Sequence, residues 1–330
     1  MKKLLTLTLC ILMAVSCVLV GCGKAEDDTN TDTAATVKFG AGVYTSAPTA
    51  TDATEDKDGS GKLDVTVAAV TVDADGKIVA CQLDTASNTV NFTADGKAVA
   101  ATEFKTKYEL GADYNMVAYG GATKEWFEQA DAFEAVVAGK TLDEVKALVA
   151  EGKGTDEVIN AGCTITISDF VNAIEKAYNA AAAEVDADAA LKVSIATEQT
   201  IADVTDDKDG SSKLSVNIFT AAIDADSKVL AATSDCVEVT FTFDAAGVST
   251  LDTTKAVASK REQGSNYGMV AYGGAAKEWF EQADAFDAAC VGKTAAEIAG
   301  LQAEDGKGVA DLQAAGCTIY VTGFVKAATK

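Results

Sequence analysis

The chain repeats itself. The stretch 116–133, MVAYGGATKEWFEQADAF, returns at 269–286 with one substitution, Thr123 against Ala276. An internal repeat constrains architecture strongly, because each copy must fold as one unit of the same kind. Further matches flank it in the same order. DKDGSGKL (56–63) pairs with DKDGSSKL (207–214), DADGKIVA (73–80) with DADSKVLA (224–231), and GKTLDE (139–144) with GKTAAE (292–297). The chain therefore reads as two homologous domains, 37–182 and 188–330. The segment NAAAAEVDADAA (179–190) between them reads as a helix end running into a short linker.

Within one copy the residue pattern predicts an α+β unit, an antiparallel sheet with helices packed on it. Residues 63–72 alternate as a strand whose apolar face shifts near Ala68-Ala69, as a bulge would cause. Asp75-Gly76 is a hairpin turn, and 77–83 is the return strand. Residues 89–92 form a third short strand, matched at its end by 241–243. Over 124–137, Trp126, Phe127, Ala130, Phe133 and Val137 make one helical stripe. Thr141 with Glu144, and Thr294 with Glu297, are capping boxes. Residues 164–167 read as a strand, and 170–178 as a helix with Phe170, Ile174 and Tyr178 on one side.

The first residues, Met1-Lys2-Lys3 and then LLTLTLCILMAVSCVLV, have the charged and apolar regions of a signal peptide. They end in Leu19-Val20-Gly21-Cys22, which resembles the lipobox of bacterial lipoproteins. The resemblance implies that 1–21 is removed, that Cys22 carries the lipid, and that the protein faces outward from the cell membrane. The alternative is a plain transmembrane anchor, for which the apolar run is short. Residues 22–36 are acidic and aperiodic and read as a solvated tether.

With a net charge of −23, the surface repels phosphate backbones, so nucleic-acid binding is excluded. The absence of histidine removes His-based triads, His-ligated haem and the usual zinc sites. Beyond the signal peptide and Cys22, five cysteines remain (Cys81, Cys163, Cys236, Cys290 and Cys317) and no CxxC occurs. That supports neither a disulfide framework nor a metal site. The DKDGS runs lack the first Asp and the final carboxylate of a calcium loop, and read as polar turns. The Tyr119-Gly120-Gly121-Ala122 turn offers either an anion cradle or a tight turn aiming the Trp126 helix into the core; the second reading is preferred.

The remaining constellation is AGCTITISDF at 161–170, repeated as AGCTIYVTGF at 315–324. Here the chain resembles the FMN-binding domain family, extracytoplasmic flavoprotein domains with an [S]GAT motif. The likeness extends to the order of a strand, a DG-K-I turn (75–78), the Gly-Cys-Thr turn and a helix of the AVEKAL kind, here FVNAIEK (170–176). It implies FMN joined through its phosphate to Thr164 and Thr318 by a flavin transferase, with Gly162 and Gly316 as close-approach positions. It also implies an electron carrier with a redox partner. The chain departs from the family at Ala161 and Ala315 for Ser, at Cys163 and Cys317 for Ala, and at Val158 and Leu312 for Asp. The segment from about 97 to 155 has no counterpart in it. A second reading treats Thr164 as a β-favoured residue entering a strand. The protein is then a non-enzymatic surface module for ligand binding or interaction.

Overall fold

In a computed structural model, residues 35–330 are described; the expected signal peptide, Cys22 and nearly all of the expected tether lie outside them. Copy one opens with β1 (Thr36–Thr45), β2 (Thr49–Thr51), β3 (Gly59–Val72), β4 (Ile78–Phe92) and β5 (Ala98–Val99). It continues through α1 (Lys107–Leu110), α2 (Trp126–Val137), α3 (Leu142–Lys146), the short pair β6 (Val149–Ala150) and β7 (Lys153–Gly154), α4 (Asp156–Ala161) and α5 (Ser168–Ala180). After β8 (Ala183–Asp186), copy two supplies β9 (Ala190–Ala202), β10 (Gly210–Ile223), β11 (Val229–Phe243), α6 (Lys260–Gln263), α7 (Trp279–Cys290), α8 (Ala295–Ala299), α9 (Ala310–Ala314) and α10 (Thr322–Ala328). The sheets run β5-β4-β3-β1-β8 and β11-β10-β9, with β2 paired to β3, and every pairing is antiparallel. The α+β class is as expected.

Each sheet has helices on one face and the other sheet on its second face. In β3, Ala68, Val70 and Val72 pack under the helices of copy one, whereas Leu63, Val65 and Val67 enter a core shared with Leu214, Val216 and Ile218 of β10. That explains the shift in apolar pattern near Ala68-Ala69. There is no bulge there: Ala68 pairs with Leu83 and Ala69 with Gln82, and the irregularity falls at Thr71/Val72. The pattern changes because both faces of the strand are buried from Val67 onward. The two copies thus share a core within one compact unit, 34–330.

Other expectations change in length or kind. The return strand and the third strand are one strand, β4; its copy two counterpart, β11, runs equally unbroken to Phe243. The expected linker carries β8, which pairs with β1. Residues 164–167 are not a strand: only Thr166 makes an isolated bridge, to Lys153. The bridge reaches the end of β7 and goes no further, because α5 begins at Ser168. The capping boxes at Thr141 and Thr294 form as expected.

Where the copies meet, size is matched across the sheets. A Cβ on Gly61 would lie 2.1 Å from the Phe241 ring. The counterpart positions are Ser212 and Val90, so the larger aromatic is the one that faces the glycine. At one end Phe92 stacks on its own counterpart Phe243, centroids 4.5 Å apart. Gly40 and Gly42 let α5 lie directly on β1, since a Cβ there would meet the Ala177 and Ala173 carbonyl oxygens at 2.2 and 2.3 Å. The corresponding Lys192 and Ser194 have side chains, beside the shorter α10.

Candidate functional site

The two Gly-Cys-Thr turns have the same construction. Gly162 and Gly316 end α4 and follow α9 with φ of 106° and 105°, a backbone open to glycine and strained for other residues. A Cβ on either would sit 2.2 Å from a lysine Nζ, Lys124 in copy one and Lys277 in copy two. Each glycine therefore admits an ammonium against the turn; Lys277 Nζ donates to the Ala315 carbonyl at 3.3 Å. Cys163 and Cys317 are fully buried core residues, and burial pushes both thiols up to about 11. These thiols are packing groups rather than nucleophiles. All five cysteines among the described residues are free.

Thr164 and Thr318 are exposed, and each is held by a glutamine the apolar pattern does not reveal. The Thr164 N–H and hydroxyl both donate to Gln129 Oε1, at 2.9 and 3.0 Å; Gln129 Nε2 donates to the Lys124 carbonyl at 3.0 Å. Thr318 repeats this on Gln282 at 2.8 and 2.9 Å, with Gln282 Nε2 on the Lys277 carbonyl at 3.1 Å. Both glutamines are buried on the core side of α2 and α7. The predicted stripe on α2 is corrected accordingly: Gln129 belongs to the buried face, and Phe127 is only half-buried. The clue was the identical stretch itself, which carries a polar residue in phase with Trp126 and Phe133.

In copy two a cleft of about 530 Å³ opens next to Thr318, within the range of roughly 300–1,000 Å³ usual for small-molecule sites. Trp279, Tyr267, Phe324 and Tyr320 supply aromatic surface, and Lys260 lies among them. Its Nζ sits 4.9 Å from the Tyr267 ring centroid and 5.3 Å from that of Trp279. Lys260 is only 9% exposed and pairs with Glu238 at 3.2 Å, while Lys213 reaches the same carboxylate at 2.9 Å. Lys307 stands over the Tyr320 ring at 5.8 Å. Thr318, Tyr320, Phe324 and Trp279 lie in the repeated stretches, whereas Tyr267, Lys260, Glu238, Lys213 and Lys307 did not stand out in the sequence.

A comparable cleft of about 550 Å³ lies where the copies meet, lined in part by Asp235, Arg261 and Glu262. It has no aromatic wall, and its charges are partnered. Arg261 binds Asp284 and Asp287, Glu262 binds Lys176, and Asp235 accepts the Cys236 and Arg261 N–H groups. Burial raises the Asp235 carboxyl to about 6 against those N–H bonds.

The Tyr-Gly-Gly turn is a tight turn and not an anion cradle. The Met116 and Val117 N–H groups donate to the buried Glu125 carboxylate at 2.9 and 3.2 Å, as Met269 and Val270 do to Glu278. An anion there would face a carboxylate. Trp126 is buried as the first residue of α2. Tyr119 and Tyr272 project outward, 88% and 92% exposed.

Among the described residues no helix is long and apolar enough to cross a membrane. Comparison with family models, with curated proteins and with solved structures finds no match, so the reading of the site rests on its own residues.

Proposed function

We propose that the protein is a membrane-tethered extracytoplasmic electron carrier, and that the copy two cleft beside Thr318 holds a flat anionic aromatic of the FMN class. The cleft carries the reading: aromatic walls, a buried ammonium and an exposed hydroxyl converge on one space of suitable size. Tyr267, Trp279 and Tyr320 would stack on the ring system, Lys260 and Lys307 would balance its charge, and Lys277 lies against the turn that presents Thr318. Esterification of the Thr318 hydroxyl would remove one donor to Gln282 and leave the Thr318 N–H bond in place. When bound, the flavin supplies the redox chemistry, and the chain supplies binding and electrostatics. The lipobox-like Leu19-Val20-Gly21-Cys22 supports the membrane location.

The test is to produce the chain from Cys22 onward, alone and with a flavin transferase and FAD, then measure intact mass, visible absorbance and binding of added FMN. Added FMN mass or saturable FMN binding is expected. A colourless chain with neither result would refute it.

A second reading, a non-enzymatic interaction module, is favoured by Tyr119 and Tyr272. They are exposed aromatics on the loop that is most nearly identical between the copies. Replacing both with Ser should abolish retention on isolated cell envelopes if that reading holds, and leave FMN binding untouched.

A further inference from the structure

We infer that the chain carries one ligand of this class, in copy two, and that in copy one the same space is plugged by Asp169 and Tyr44, leaving that copy a structural role. The inference rests on the copy two cleft being the ligand site.

The positions correspond one to one. Gly323 of the cleft is replaced by Asp169, Asn217 by Thr66, Ser215 by Asp64, Ala196 by Tyr44, and Tyr320 by Thr166. Asp169 does not point away into solvent. Ser46 Oγ donates to it at 3.4 Å, and the charges acting on it are those of Asp64 and Lys107. Ser46, Asp64 and Lys107 are the counterparts of Glu198, Ser215 and Lys260, which line the copy two cleft. The Asp169 side chain therefore occupies the matching space. Tyr44 adds bulk on the same side of the sheet: it packs against the helix core, with Lys176 over its ring at 5.5 Å.

The exchanges at these positions change bulk in one direction, although Ser46 and Ser87 stand where the copy two cleft carries Glu198 and Glu238. Copy two has small residues at 196, 215 and 323 and an extra aromatic, Tyr320. Copy one has two carboxylates and a tyrosine in their place and lacks that aromatic. A ligand entering copy one would have to displace the Asp169 side chain, which costs affinity. The glycine is also tied to its neighbour. A Cβ on Gly323 would lie 2.2 Å from Asn217 Cγ, so Asn217 excludes any side chain at 323, whereas Thr66 accommodates Asp169. Asn217 with Gly323, and Thr66 with Asp169, are two alternative settings of one pair. That pair determines which copy is open.

The experiment moves the copy one setting into copy two. The double substitution Asn217→Thr, Gly323→Asp introduces a combination that the copy one backbone already holds. Lys260→Met in copy two and Lys107→Met in copy one form a matched second pair, since each lysine lies over a Tyr and a Trp in the same way. Flavin per chain is counted by absorbance and intact mass in two arms, added FMN and co-production with the transferase. FMN affinity is measured by titration and folding by circular dichroism. We expect one flavin per chain, at least a tenfold loss of affinity or of loading in N217T/G323D and in K260M, and no change in K107M. Two flavins per chain, or weakening by K107M with N217T/G323D unaffected, would overturn the inference and leave the flavin reading intact. No flavin in either arm would overturn both.

Discussion

Glu134 provides the sharpest test of how the copies differ inside. Its Oε1 accepts the Leu83 N–H at 2.7 Å from α2. The equivalent residue in copy two, Asp287, accepts the Ser234 N–H and hydroxyl at 3.0 and 2.5 Å and pairs with Arg261 Nη2 at 2.6 Å. Where copy two has Arg261, copy one has Tyr108, whose hydroxyl bonds Asp131 instead. Glu134 thus lacks that guanidinium. Burial pushes its carboxyl from an ordinary 4.5 up to about 8, with Asp131 and Asp84 adding to the rise and the Leu83 N–H opposing it. Because the folded-state value is raised, the folded chain binds the extra proton. The stabilisation from that proton is complete below about pH 4.5 and is lost as pH climbs through about 8. At about 1.36 kcal/mol per pKa unit the ceiling is about 5 kcal/mol. Glu134 is partly open to water, which brings the expectation to about 1–2 kcal/mol.

Glu134→Gln keeps the acceptor for Leu83 and removes the titration. Urea unfolding should give E134Q and the parent equal stability near pH 5 and an E134Q advantage of about 1–2 kcal/mol near pH 8.5. Asp84 and Asp235, both raised to about 6 by burial, titrate alike in the two proteins and cancel in the difference. Tyr108→Arg, importing the copy two partner, should flatten the pH dependence in the same way. A stability difference between E134Q and the parent that does not change with pH would refute the reasoning.

Other substitutions probe the remaining contacts. Gly61→Ser should cost about 1–3 kcal/mol by overpacking against Phe241, and Phe241→Val should recover part of that in the double variant; additive losses in thermal melts would show that the two do not touch. Gln282→Leu removes the acceptor for both Thr318 donors and should lower stability by about 1–2 kcal/mol, with Gln129→Leu costing a similar amount. Arg261→Met strands Asp287 in the core and should destabilise by about 3–5 kcal/mol at pH 7; a loss under 1 kcal/mol in denaturant titration would count against the pairing. Lys330→Met breaks the contact to Glu109 across the copies, half-exposed at 2.7 Å, and should cost under about 1 kcal/mol in the same assay.

Repetition, hairpin turns, capping boxes and the Trp126 helix were legible in the residues because each depends on near neighbours in the chain. The Thr141–Glu144 box needs only a three-residue spacing, and Asp75-Gly76 only a local backbone preference. The α+β class follows from the same local patterns. The face-to-face sheets were not legible, because a strand buried on both sides loses the alternation that marks a half-buried one, and β3 accordingly read as bulged. Nor did the sequence show what Thr164 and Thr318 touch: Gln129 and Gln282 lie 35 and 36 residues away and resemble ordinary surface glutamines on a helix. Comparing the copies residue by residue exposes Asp169 against Gly323. Only packing shows that a side chain at 323 would strike Asn217, the counterpart of Thr66. Side-chain volume and charge act on whatever the fold brings within a few ångströms, and the linear order of the chain does not carry that distance.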